Sequence, residues 1–288
     1  MPPAPPRPAD AAPRRPPRPA PAGQNIAMLL AYDGTPFQGW QLQHHAPSVQ
    51  GTLEQALRTV LRHPVRVTGS GRTDTGVHAL NQVANFRLPV AQDLARLQQH
   101  LNGLAGPAIA VKALIPVPDT FHARHSARGK LYRYHVFNRA YPPVFARRRA
   151  WWLKLPLDIA AMREAAAWLP GEHDFSAFRA ADCAAASPVR HLRRLALAEG
   201  EWEDGTLRIE LEASGFLQHM ARIIVGTLVA VGQGRLAPGD VRRILESRRR
   251  EQADATAPGH GLHLVRVFYD LGCFPELAAA GFPDAPSP

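Results

Sequence analysis

Three segments of this chain gather side chains that can do chemistry. The densest is Gly69-Ser70-Gly71-Arg72-Thr73-Asp74-Thr75-Gly76-Val77-His78. Its glycines permit tight turns and close approach of backbone to a ligand, so the loop is fit to hold Arg72 and Asp74 against a substrate. By spacing alone it also reads as a hairpin turn with a surface arginine and aspartate. The second segment, Ser214 to Arg222, opens a long apolar stretch. Phe216, Met220, Ile223, Ile224, Thr227 and Val231 share one helical face, with Val225 and Val229 nearly opposite. A helix over 216–231 is therefore expected, and one that is apolar all round belongs inside the protein. Arg222 falls on the Val225–Val229 side, and a buried charge needs a partner. Asp74 is the candidate: the pair would keep the carboxylate ionised. The alternative is that Arg222 stretches its stem to reach solvent.

The third segment runs from Phe121 through His122, Arg124, His125, Arg128 and Lys130 to Tyr132 and Tyr134. Nucleobases stack on aromatic rings while arginine and lysine hold phosphates; a hairpin with its tyrosines in the core is the other reading. His122 and His125 lack a nearby carboxylate or cysteine to complete a metal set. His44-His45 reads as a polar loop, and Arg147–Arg149 and Arg248–Arg250 fit either a phosphate track or a solvated face.

These segments need a scaffold, and 288 residues allow about two domains. Hydrophobic residues make up 45% and charged residues 20%, enough to bury a core. The net charge of +10 points to an anionic partner, most often nucleic acid. Only Lys112, Lys130 and Lys154 are lysines; the arginine excess fits codon bias as well as phosphate recognition. No apolar run approaches the roughly 20 residues of a membrane span. Cys183 and Cys273 form no CxxC pair, which argues against a disulfide framework or a cysteine zinc site and places the chain in reduced cytosol. The start has no apolar signal region; it is arginine-rich like a transit peptide, but without serine and full of proline.

Residues 1–24 are proline, alanine and arginine with little to bury, and read as a disordered tail; residues 275–288 read as loose. Between them strand and helix signals alternate. Strands are expected over 26–32, 65–69, 82–88 and 109–114, with helices after Ser48 and over 93–101. A second unit has strands over 131–137, 150–153, 192–198, 206–213 and 262–268, with helices over 157–169, 216–231 and from 241. In 206–213, Leu207, Ile209, Leu211 and Ala213 alternate with Arg208, Glu210 and Glu212, the pattern of an antiparallel strand with one wet face. The expectation is an α+β protein of two similar halves, 25–118 and 119–274, joined into one long sheet whose junction makes a cleft.

At these residues the sequence resembles the tRNA pseudouridine synthases that modify positions 38, 39 and 40 of the anticodon stem-loop. The likeness runs from about Asn25 to Asp270. It rests on Tyr32-Asp33-Gly34-Thr35-Pro36-Phe37-Gln38-Gly39-Trp40-Gln41, then Gly71 to Ala79, then Phe121-His122-Ala123-Arg124 leading to Tyr132-Arg133-Tyr134. Asp174-Phe175-Ser176-Ala177-Phe178-Arg179, Phe216 to Arg222, and Ala255 to Leu262 follow in the family's order.

The resemblance implies an isomerase that needs no cofactor or metal. It implies ferredoxin- or RRM-like halves, a mostly antiparallel sheet flanked by helices, a central basic cleft, a cytoplasmic homodimer and a tRNA anticodon stem-loop as partner. By similarity Asp74 is the catalytic carboxylate and Tyr132 stacks on the target base. Arg222 pairs with Asp74, Arg72 helps fill the place of a flipped nucleotide, and Leu264 packs near the base. Thr75 stands where alanine is usual, Ala221 where valine is, and Ile223 where asparagine is; the N-terminal tail lies outside the pattern. Two other classes compete: a catalytically silent RNA-binding protein using the same cleft, and a metal-dependent nuclease, which would need clustered carboxylates and would stop on chelation.

Overall fold

The computed structural model describes residues 23–43, 45–200, 205–279 and 281–282. Most of the expected N-terminal tail, His44 and the last six residues lie outside them.

The first half of the chain is β1 (Gln24–Tyr32), α1 (Val49–Leu61), β2 (Thr68–Gly69), β3 (His78–Leu88), α2 (Leu94–Leu104) and β4 (Ile109–Pro116). The second is β5 (Ala127–Asn138), β6 (Trp151–Leu153), α3 (Ile159–Ala166), β7 (Gly171–Asp174), β8 (Val189–Glu199), β9 (Thr206–Ala213), α4 (Met220–Gly232), α5 (Pro238–Ser247), β10 (Leu262–Tyr269) and α6 (Pro275–Ala279). Helix starts follow side-chain chemistry. Ser48 accepts the Gly51 N–H, Asp93 that of Arg96 and Asp158 that of Ala161, each cap contributing about 1 kcal/mol. The amphipathic α1 buries Leu53 and Leu57.

All ten strands join one sheet in the order β4-β1-β3-β10-β5-β9-β8-β7, with β2 on β3 and β6 on β5. Pairing is antiparallel except for β3 with β10 and β5 with β6. The β3–β10 contact is short, His78 opposite His263 and Ala79 opposite Leu264, yet it carries the sheet from one half of the chain to the other. The main core runs without a break from Ile26 to Phe282.

Several expectations need correction. The helix expected from Phe216 begins at Met220, because His219 takes a left-handed conformation, φ 61°, that no helix can propagate. Apart from Arg222 every residue of α4 is buried, as its all-round apolarity implies. The strand expected over 65–69 is only Thr68–Gly69, and β7 has no apolar alternation to announce it. The wet face expected on β9 is covered at its centre, while Arg208 and Glu212 stay partly exposed. Glu210 is buried beneath arginines, bonded by Arg133 Nη2 at 2.8 Å and approached by Arg194 and Arg208. Beyond residue 274 the chain is not loose at first: α6 follows, with Leu277 and Phe282 buried. β1 starts at Gln24, inside the expected tail.

Beside the β3–β10 junction lie three buried histidines. His78 stacks on His263 at 4.7 Å, and His135 meets His263 edge-on at 5.1 Å. His78 accepts the Gly34 N–H at Nδ1, which leaves Nε2 to donate to the Arg148 and His260 carbonyls; His263 bonds the Arg149 carbonyl. Burial pulls all three downward, His263 to about 3 and His135 to about 2. The unfolded chain, with histidines near 6.5, therefore takes up protons first on acidification. Their stabilising contribution is complete above about pH 6.5 and is lost as pH falls toward the folded values, roughly 2 kcal/mol for each of His135 and His263 by about pH 5. Thermal melts from neutral to about pH 5 should show this loss, and a His263→Gln variant should melt with a flatter pH dependence. An unchanged slope would exclude His263 as a source of it.

Candidate active site

The Gly71–Val77 loop leaves β2 and returns as β3, and it is pinned on both sides of Asp74. Before it, Ser70 Oγ donates to Gln82 Oε1 at 2.6 Å, Gln82 Nε2 donates to the Gly71 carbonyl at 3.2 Å, and Lys130 Nζ donates to the Ser70 carbonyl at 2.9 Å. The Tyr32 hydroxyl bonds Thr73 Oγ1 at 2.8 Å, and the Trp40 N–H donates to the Thr73 carbonyl at 2.9 Å. After it, the Val77 N–H closes a turn onto the Asp74 carbonyl at 3.1 Å. The approach of the 37–40 segment requires Gly39. Its φ is +91°, and a Cβ there would stand 2.5 Å from the Thr73 carbonyl oxygen.

Across from this loop stands α4. Arg222 Nη1 donates to Asp74 Oδ2 at 2.8 Å, joining residues 148 apart in sequence. Its Nε donates to the Ala257 carbonyl at 2.8 Å, and the Ala257 N–H returns a bond to the Arg222 carbonyl at 3.1 Å. The guanidinium is thus fixed at two points. Close contact between α4 and the 255–257 segment depends on Gly226, where a Cβ would lie 1.9 Å from the Ala255 carbonyl oxygen. The Asp74 side chain is 27% exposed and that of Arg222 16%, a pair shielded but open on one side.

Tyr132 lies on β5 directly opposite Leu264 of β10. It is 7% exposed, its ring met edge-on by Phe216 at 4.9 Å. Burial, with the Asp74 carboxylate nearby, pushes its phenol well above the ordinary range, so it stays protonated. Leu264 is buried between Tyr132 and Ala79. The structure therefore gathers Asp74, Arg222, Tyr132 and Leu264 around the β3–β10 junction, while Arg72 is exposed on the loop.

Two further neighbours complete the surroundings: Lys130, which the sequence places in a basic segment without linking it to the Asp74 loop, and His219, which it does not single out. Lys130 sits two positions before Tyr132, on the same face of β5, and strand alternation was the signal for it. Burial, with the charge of Arg124, draws its ammonium down to about 8. His219 Nε2 lies 3.6 Å from Asp74 Oδ2, and nothing in the apolar periodicity marked it. Among the described residues no three His, Cys, Asp or Glu side chains gather as a metal set, and no helix is long and apolar enough to cross a membrane.

The sequence model of the tRNA pseudouridine synthase family matches residues 28–126 and 165–270. These segments include Asp74, Arg222 and Leu264; Tyr132 lies between them. A tRNA pseudouridine synthase A of Acetivibrio thermocellus is 41% identical over 85% of this chain and 100% of its own length. That of Myxococcus xanthus is 45% identical, covering 86% and 92%, and that of Alcanivorax borkumensis 42%, covering 91% and 94%. Among solved structures, a Cbf5-Nop10-Gar1 complex aligns over 83% of this chain and 57% of that chain, at 11% identity and a TM-score of 0.31, too low to argue a shared fold.

Proposed function

The chain belongs to the tRNA pseudouridine synthase family, whose members are isomerases, and on that premise we propose that it converts uridine to pseudouridine at positions 38, 39 and 40 of the tRNA anticodon stem-loop, with Asp74 as nucleophile. The observation that carries this reading is the ionic contact of Asp74 with Arg222. It supplies a charged carboxylate, held on a pinned loop, next to an aromatic ring and an aliphatic wall.

The proposed cleft lies where two like halves meet, dividing at about residue 118. The strand orders support this: β4-β1-β3 with β2 beyond, then β10-β5-β9-β8, each with its second-placed strand coming first in sequence. Arg72, Arg222 and Lys130 lend the cleft positive charge. The target uridine must leave its stack, at a cost of a few kcal/mol. Phosphate contacts offset that cost, so tRNA binding weakens as salt rises, and Arg72 fills the vacated place. Asp74 attacks C1′ while the N-glycosidic electron pair passes to uracil N1; uracil turns over, C5 bonds to C1′, and the carboxylate is released. Removal of the C2′ proton to give a glycal starts from the same carboxylate. C5 then loses its proton and N1 gains one. Because uracil is both leaving group and acceptor, the isomerisation is balanced without a cofactor or metal, and a dry pocket protects the intermediate from water. The enzyme works as a cytoplasmic homodimer in this reading.

Tritium release from C5-labelled uridine in tRNA tests it; no release from any of the three positions overturns it. In a tRNA-binding titration beside that assay, Tyr132→Ala should lose stacking worth about 1–3 kcal/mol, read as weaker tRNA binding. Tyr132→Phe, which keeps the ring, should bind as wild type does, and any fall in its kcat measures the phenol's part in proton transfer.

A further inference from the structure

Three non-glycine residues among those described have positive φ: Arg62, His219 and Arg248. Arg62 and Arg248 are C-caps of α1 and α5, where left-handed backbone is common. His219 is an N-cap. The caps Ser48, Asp93, Asp158 and Ala237 are extended, the usual conformation there. The His219 carbonyl accepts the Ile223 N–H at 2.9 Å, but the side chain makes no capping hydrogen bond. Its unusual backbone instead brings Nε2 to 3.6 Å from Asp74 Oδ2, with the side chain 32% exposed. Arg222 Nη1 holds that same oxygen.

Resting on the reading of Asp74 as nucleophile, we propose that His219 is a positioning residue that clamps Oδ2 together with Arg222, so that Oδ1 is the oxygen presented to C1′. At 3.6 Å the imidazole lies just beyond hydrogen-bond distance; contacts of this kind tighten when substrate closes the site. The left-handed cap lets a residue at the mouth of α4 reach the carboxylate instead of its own helix.

The backbone and the side chain can be tested separately in the full-length enzyme. Glycine adopts this φ freely, so His219→Gly should melt no lower than wild type. Its kcat should fall about tenfold, equivalent to about 1.4 kcal/mol, with KM unchanged. Added imidazole should restore kcat in His219→Gly but not in Asp74→Asn. His219→Asn tolerates left-handed backbone but is too short to replace the imidazole, and should match His219→Gly. Wild-type kcat in His219→Gly, a loss confined to KM, or no gain with imidazole overturns the proposal. Turnover in Asp74→Asn would instead overturn the nucleophile itself, so the two failures are distinct.

Discussion

Asp74→Asn should fold, bind tRNA and release no tritium, with kcat lower by on the order of 10⁴-fold or more, the scale seen when a nucleophile is removed. Asparagine keeps the size and shape of the side chain, and the loop around it is held by bonds that do not involve the carboxylate: Tyr32 and Trp40 to Thr73, Gln82 to Gly71, Lys130 to Ser70. What is lost is one charge-assisted contact with Arg222, about 1–2 kcal/mol for a pair left partly open to water. Against a typical stability of about 5–15 kcal/mol, that leaves nearly all molecules native. A loss of four orders of magnitude then reports chemistry rather than unfolding. Melting and tRNA-binding curves close to wild type, beside an empty tritium assay, are the expected result; retained turnover would remove Asp74 from the nucleophile's role.

The contact between Asp74 and Arg222 could be read from sequence because α4 carries one cation in a helix apolar on every side, and the glycine-rich loop offered an acid for it. The strands of β1, β3, β5, β9 and β10 were legible for a similar reason: a buried or alternating pattern repeats every two residues. Features fixed by long-range packing were not. Glu210 looked solvated because its own strand alternates, and arginines arriving from β5 and β8 join Arg208 of its own strand around it. β7, Gly-Glu-His-Asp, has no apolar pattern and is a strand because β8 supplies its hydrogen bonds. The left-handed turn at His219 is uncommon for any residue that carries a Cβ. Such a conformation is maintained by its surroundings, so a local reading misses it and misses the contact with Asp74 that follows. Resemblance to a family supplied what spacing left open, above all the choice between Asp74 as a surface turn residue and as a nucleophile.

Arg222→Met should lose both stability and turnover, and the two losses have different sources. The guanidinium makes one bond to Asp74 and one to the Ala257 carbonyl, each at 2.8 Å, from a side chain only 16% exposed. Methionine fills much of the volume but leaves the carbonyl without that donor and the carboxylate without its principal cation. Breaking a fully buried pair costs about 3–5 kcal/mol; with Asp74 27% exposed, a loss of about 2–3 kcal/mol is expected. Turnover should fall further, by about 10²-fold per folded molecule, because Oδ2 loses its hydrogen-bonded partner and only His219 remains beside it. Arg222→Lys separates the effects. It restores the charge but not the fork that reaches Asp74 and Ala257 together, so it should recover more of the melting temperature than of kcat. If Arg222→Met melted early yet turned over at the wild-type rate below its transition, the pair would be a structural staple, and the orientation of Asp74 would rest on its loop alone.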